Sequence, residues 1–274
     1  MRLNIILIPT ILLFFLSCRK VNQDCNVNEY PNAPEKVWYS EVNGSEEESH
    51  GHFIMSCSDG GYLQIGETGF IPNSAKILVI KTNNSGNLIW KKEFGDAGNN
   101  LGNSAIETSD GYIICGALNE NSTLIKLEKN TGSEIFRQSA DNGGSDAFEH
   151  LTVTSNGIVA VGYVNADDNS NTFYTEGEGF ITFLDANGIK QMGFNINAHL
   201  SHAYRIQLHN SDLFISGLTE GANDYGLIKT DSSGNVLWSK NFGGSKADHC
   251  FGMDMSADGS ILLTGHTLSG TENW

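Results

Sequence analysis

"KTDSSGNVLWSKNFGG" at residues 229–244 is nearly a copy of "KTNNSGNLIWKKEFGD" at residues 81–96. Both keep one order: a Lys-Thr pair ending an apolar run, a polar turn containing Gly86 or Gly234, and Trp90 or Trp238 four residues later. Two weaker versions lie between them, "KLEKNTGSEIFRQS" from Lys126 and "FLDANGIKQMGFN" from Phe183, with Phe136 and Phe194 in the aromatic place. A second marker is an apolar run ending in glycine: "GYLQIG", "GYIICG", "GIVAVG", "DLFISG" and "SILLTG", which close at Gly66, Gly116, Gly162, Gly217 and Gly265. Their spacings are 50, 46, 55 and 48 residues.

A period near 50 that holds four short strand patterns predicts the blade of an all-β propeller rather than a helical solenoid. The first strand of each unit is read at "HFIMSC", "NSAIET", "EHLTVT", "YRIQLH" and "FGMDMS", and the second is the glycine-terminated run. The third is "KILVIK", "STLIKL", "GFITFL" or "YGLIKT", and the fourth carries the aromatic. Stacked blades bury faces that one blade cannot, so Trp90, Phe136, Phe194 and Trp238 are expected as wedges between neighbours. "EKVWYSEV" around Trp38 reads as a lone fourth strand ahead of the first full unit, and Trp38 joins the wedge set. Four complete blades and one partial blade are predicted, because the last unit stops at "SGTENW", where a third strand should begin.

The unit "DGGYLxxGxT … LIKTDssGNvlWsKnFGG" resembles the repeat of secreted or lipid-anchored propeller proteins of Bacteroidetes. Its "D-x-(S/T)-G-x-x-x-W" part is distantly similar to the tryptophan-docking repeat of pyrroloquinoline quinone enzymes. The resemblance covers about residues 36–274 and implies a fold, not a task, because one fold hosts unrelated functions.

Residues 1–17 read as a leader. Arg2 supplies a basic start, Leu3 to Phe15 are largely apolar, and the run is too short for a comfortable membrane span. With Leu16 and Ser17 before Cys18, the stretch resembles a bacterial lipoprotein signal, which implies lipidation of Cys18 and attachment to a membrane. An ordinary secretory leader with a coincidental Cys, or an uncleaved anchor, is the alternative. Residues 18–35 are polar, contain two Pro and read as a tether, which leaves residues 36–274 for the propeller. The expected place is an outer-membrane or cell-surface lipoprotein. A formal net charge of −16 makes nucleic acid an unfavourable partner.

No catalytic set is supported. No two of the five Cys are adjacent, as a quinoprotein dehydrogenase would have them, and the basic residues lack the arginine cluster of a sialidase. No G-x-S-x-G or H-E-x-x-H pattern occurs. Two constellations remain. Blade alignment puts His50, Leu101, Ala147, His202 and His249 in one column ahead of the first strand, with Asp146 and Asp248 one position earlier. In a ring such columns converge, so these groups form a candidate metal or anion site at one channel mouth; the favoured alternative is a polar rim facing water. Asp167, Asn169, Asn171, Thr175 and Glu178 match the spacing of oxygen donors in a calcium loop, although Thr172 replaces the turn glycine. A solvated hairpin tip is the favoured alternative there, and no cofactor is predicted beyond possible calcium.

The function expected is a non-catalytic binding or assembly scaffold at the bacterial envelope, with a protein or glycan ligand. A lectin would use exposed loop aromatics such as Phe70, Tyr174 and Tyr225, and a hydrolase is the weakest reading. No obligatory disulfide is expected from Cys25, Cys57, Cys115 and Cys250, which fall in the tether and in separate strands.

Overall fold

The computed structural model describes residues 41–46, 48–69, 74–166, 177–219 and 224–268. Cys18, Cys25, Trp38, Phe70, Tyr174 and the loop residues Asp167, Asn169, Asn171 and Thr175 lie outside them. The described residues form antiparallel sheets and no helix. The first sheet holds β1 (Ser49–Ser56), β2 (Tyr62–Thr68), β3 (Ala75–Thr82) and β4 (Leu88–Gly98). The second holds β5 (Leu101–Glu107), β6 (Tyr112–Leu118), β7 (Asn121–Leu127) and β8 (Glu134–Ala140). The third holds β9 (Ser145–Thr154), β10 (Gly157–Ala166), β11 (Glu178–Leu184) and β12 (Lys190–Asn195). The fourth holds β13 (His202–His209), β14 (Asp212–Leu218), β15 (Tyr225–Thr230) and β16 (Val236–Phe242), and the fifth β17 (Asp248–Met255) with β18 (Ile261–Thr267). Each sheet is a meander in chain order, and the first strands of successive sheets adjoin one another. This is a β-propeller of about five blades, with the fifth described as two strands. Of the lone fourth strand read around Trp38, only Glu41 and Val42 are described, and they belong to no strand.

Both sequence markers have a physical cause. In the repeated turn, Asp231 accepts backbone N–H groups from Ser233 and Asn235 at 2.9 Å, and Asn83 does the same for Ser85 and Asn87 at 2.9 and 3.0 Å. The polar residue thus pins the turn, while Gly86 and Gly234 take φ of 77° and 86°, where a side chain would be strained. The aromatic four or six residues later docks on the next blade's turn. A Cβ on Gly132 would lie 2.7 Å from the Trp90 ring, one on Gly188 2.9 Å from Phe136, and one on Gly234 2.2 Å from Phe194. Trp90 also donates Nε1–H to the Lys129 carbonyl at 2.9 Å. Each wedge therefore needs a glycine in the following blade, which explains why turn and aromatic recur together.

Trp238 is the wedge of the fourth blade, and no described turn of the fifth receives it. It lines an apolar groove of about 700 Å³ with Phe214, Leu227, Phe242, Ile261 and Leu263. The recurring Lys of the third strand is structural too. Lys81 and Lys126 reach back to Asp59 and Asp110 in the turn between the first two strands at 2.9 and 2.8 Å, and Lys229 meets Asp212 at 2.7 Å. These cations hold the Asp59 and Asp110 carboxyls below the ordinary aspartate range. Cys57, Cys115 and Cys250 are buried free thiols.

The glycine-ended second strand answers a bulge. Every first strand shifts register at one equivalent point: Gly51/Phe53 in β1, Gly102/Ser104 in β5, opposite Gly162 in β9, Ala203/Arg205 in β13 and Cys250/Gly252 in β17. At that point the first-strand carbonyl presses on the marker glycine. A Cβ would lie 2.0 Å from the His50 carbonyl at Gly66, 1.8 Å from Leu101 at Gly116, 1.9 Å from Ala147 at Gly162, 1.9 Å from His202 at Gly217 and 1.7 Å from His249 at Gly265. Bulges of this kind turn a strand and re-aim its side chains.

Two substitutions test the two contacts by urea unfolding. Gly116→Ala should cost about 2 kcal/mol or more, because backbone must move to admit the methyl group, whereas Gly60→Ala, with nothing within 4 Å, should cost about 1 kcal/mol from its positive φ alone. Trp90→Ala should cost about 3–5 kcal/mol, and Phe136→Ala, on a half-buried ring, should cost less.

Candidate functional site

The bulge sets what each blade offers to the inner end of the ring. The column His50, Leu101, Ala147, His202 and His249 lies inside the first strands, not ahead of them, because those strands begin two to four residues earlier than the hydrophobic pattern places them. Each column residue pairs with the residue after the marker glycine: His50 with Glu67, Leu101 with Ala117, Ala147 with Tyr163, His202 with Leu218 and His249 with His266. The bulge leaves a third residue without a ladder partner: His52, Asn103, Glu149, Tyr204 or Phe251. Five triplets result, one per blade, of which sequence reading found only the first members. The missing members are legible once the glycine is understood as the mark of a bulge.

The carboxylates placed beside this column turn the other way. Asp146 accepts backbone N–H groups from Asn142 at 2.6 Å and Asn165 at 3.1 Å, and Asp248 accepts one from Gly244 at 2.7 Å. Ser49 accepts Gly44 N–H at 2.9 Å, and Asn100 accepts Asn119 N–H at 2.9 Å. These residues fasten neighbouring backbone at the start of four of the five first strands, and alternation along the strand separates them from the column. Burial raises the Asp146 pKa despite those hydrogen bonds. The structure therefore does not gather Asp146 and Asp248 with the histidines into one site.

The third to fifth blades pack rings into a plug at this level. His202 stacks on Tyr204 with centroids 4.0 Å apart, meets Tyr163 at 4.5 Å, and places Nε2 3.0 Å from Glu149 Oε1. Tyr204 meets Phe251 at 5.6 Å, and Phe251 lies 5.6 Å from His249 and 5.4 Å from His266. His202 and His249 are buried, so they are parts of a packed plug rather than open ligands. In the second and third blades Leu101, Ala117, Ala147 and Tyr163 make the same level apolar.

The first blade differs. His50 and His52 remain accessible, and both Nε2 atoms approach Glu67 Oε2, at 3.2 and 3.1 Å. Glu67 is fully buried, and its other oxygen accepts the Gly102 N–H of the next blade at 2.6 Å. The Glu67 carboxylate raises the His50 pKa, with burial opposing it and Glu48 assisting. Glu178, the described member of the proposed calcium loop, is a strand residue of β11 whose Oε2 accepts the Asn195 side-chain amide. Tyr225, the described member of the aromatic set, sits in β15 with its hydroxyl 2.5 Å from where a Gly265 Cβ would lie, between the fourth and fifth blades.

No protein-family model matches the sequence, and no curated protein matches it. Among solved structures, the chain is similar to the quinohemoprotein alcohol dehydrogenase of Comamonas testosteroni, at 13% identity and a TM-score of 0.46, over 82% of this chain and 43% of that one. It is also similar to CoXyl43, a GH43 β-xylosidase/α-arabinofuranosidase from a compost microbial metagenome, at 8% identity and a TM-score of 0.48, over 82% and 96% of the two chains. The apocarotenoid oxygenase of Synechocystis is similar at 12% identity and a TM-score of 0.47, over 82% of this chain and 57% of that one. The chain thus spans less than half of the dehydrogenase's length.

Two histidines outside the first blade set an acid limit. Burial, helped by the Arg205 cation, pushes His150 down to about 3, and burial with His266 and His202 nearby pushes His249 down to about 4. Each is neutral in the fold and takes up a proton more readily when unfolded. Their contribution is complete above about pH 6.5 and drains away as pH falls toward those values. Urea midpoints should fall steeply between about pH 6.5 and pH 4. His150→Gln, which cannot titrate, should flatten that limb; an unchanged slope would show that His150 is not buried neutral.

Proposed function

We propose that this chain is an exported, non-catalytic binding scaffold, held on a bacterial membrane through a lipid on Cys18. The observation that carries the reading is what the repeated polar residues do. Asp59, Asp110 and Asp212 pair with third-strand lysines, Asn83 and Asp231 pin turns, and Asp146 and Asp248 fasten loops. The polar groups common to the blades are committed to the ring, and what varies is the set of connections. The segment between β10 and β11, residues 167–177, is the longest of these. Variable connections on a rigid repeat are where binding proteins present their contacts.

The leader supports the location. "FLSC" ends an apolar stretch at a Cys, and residues 18–35 supply a polar tether between lipid and propeller. A surface of strongly negative formal charge suits a protein or glycan partner better than a polyanion. The glycan reading is the weaker one, since Tyr225 is half-buried where the fourth and fifth blades meet, with its hydroxyl turned toward Gly265.

The test is metabolic labelling with radioactive palmitate in a bacterial host, followed by membrane fractionation and cross-linking in intact cells. The wild-type chain should carry label, sediment with membranes and cross-link to an envelope component, and Cys18→Ala should lose the label and the membrane association. Label retained in Cys18→Ala would remove the anchor. Recovery of the soluble Cys18→Ala protein with turnover of a defined substrate would replace the scaffold by an enzyme.

A further inference from the structure

We propose that His50, His52 and Glu67 form a first-row transition-metal site, of the kind that takes Zn²⁺, at the inner end of the first blade. Three nitrogen and oxygen donors there lie within 4.8 Å of one another. Both imidazole Nε2 atoms stand 3.1–3.2 Å from a single carboxylate oxygen. A tetrahedral ion bonded at about 2.0–2.1 Å holds its ligands about 3.3 Å apart, so these separations match the edges of such a site.

The buried carboxylate is the decisive member. Glu67 is 0% exposed, its Oε1 is fixed by Gly102 N–H, and its Oε2 has no hydrogen bond of good geometry, only the two imidazole nitrogens. A carboxylate oxygen withdrawn from water needs compensating positive charge or donors. A cation between Oε2 and the two Nε2 atoms supplies it. The Gly102 contact from the second blade then acts as the outer partner that orients a metal ligand, and Glu48, 3.9 Å from His50 Nδ1, flanks the other ring nitrogen.

The donors also choose the ion. Two imidazoles and one carboxylate suit Zn²⁺, Co²⁺, Ni²⁺ or Cu²⁺, whereas Ca²⁺ and Mg²⁺ prefer all-oxygen shells. An anion is disfavoured by Glu67 itself. His50 and His52 side chains keep 41% and 25% of their surface, so a fourth position is open to solvent. That leaves room for water or for a donor atom of a bound partner. The corresponding triplets of other blades cannot do this: Leu101, Asn103 and Ala117 offer no such set, and His202 and His249 are locked in the ring plug.

The site stands independently of the scaffold reading. The experiment is titration calorimetry of the untagged full-length chain in detergent with Zn²⁺ alone, together with visible absorption of the Co²⁺ form. One equivalent of Zn²⁺ should bind, and the Co²⁺ form should show the intense bands of a four-coordinate ion. His50→Ala and His52→Ala should each weaken binding by about 100-fold or more, beyond the about 10–100-fold expected for loss of an outer-shell partner. His209→Ala, in the fourth blade, should leave binding unchanged. Glu67→Gln should also abolish the Co²⁺ bands, and His52→Asn, at a partly exposed position, serves if the buried substitution fails to fold. Absence of stoichiometric Zn²⁺ binding, or binding unchanged in folded His50→Ala and His52→Asn proteins, overturns the proposal.

Discussion

The contact on which the rest depends is the approach of one backbone carbonyl to one glycine in each blade. At Gly66, Gly116, Gly162, Gly217 and Gly265 the opposing first strand comes so near that no Cβ fits. The closeness comes from the bulge in the first strand, and the bulge adds a residue to the strand that lines the ring. A straight two-residue ladder would offer one side chain per pair at this level. The bulged ladder offers a further one, and it is this addition that puts His52 beside His50 and Glu149 within reach of His202. The glycine is therefore at once a packing requirement and the reason the inner end has any chemistry to offer.

A second constraint runs from blade to blade. Trp90, Phe136 and Phe194 each lie against a turn glycine of the following blade, where the missing side chain leaves a flat seat for a ring. The seat and the ring sit four or six residues apart in sequence but belong to different contacts, so each blade carries one half of two interfaces. Burial of such rings is the largest single gain a blade boundary can make. The inner contacts repeat the logic with polar groups: Glu67 accepts from Gly102, and the Asn103 amide donates to the Phe148 carbonyl at 3.0 Å. The blade unit seen in sequence is thus an offset unit, since its stabilising partners lie one period away.

That offset explains what could be read from the chain alone. The four-strand unit, its period and the wedges at Trp90, Phe136 and Phe194 were legible because each depends on residue type at fixed spacing. Strand starts were not, because the residues that begin the first strands, such as Ser49, Asp146 and Asp248, are polar for a reason other than exposure: they hold incoming loops. For the same reason the hydrophobic pattern sets the histidine column just outside the strands, next to carboxylates that face elsewhere in the fold. Glu67 is not legible as a site residue, because a charged residue following a strand's last glycine reads as the beginning of a loop. In the fold it is fully enclosed by the adjoining blade.

A symmetric scaffold with one asymmetric blade has a consequence for how a site arises on it. The five triplets occupy equivalent backbone, so the fold fixes their positions and leaves their chemistry to individual substitutions. In blades four and five these positions hold the rings of His202, Tyr204, His249, Phe251 and His266, which Tyr163 of blade three joins, and in blade two they hold Leu101, Asn103 and Ala117. Glu67 is withdrawn from water where the first blade meets the second, and a carboxylate so placed is costly unless it is compensated. The same backbone position therefore carries a packed set of rings in the fourth and fifth blades and, in the first, two accessible imidazoles beside one buried carboxylate.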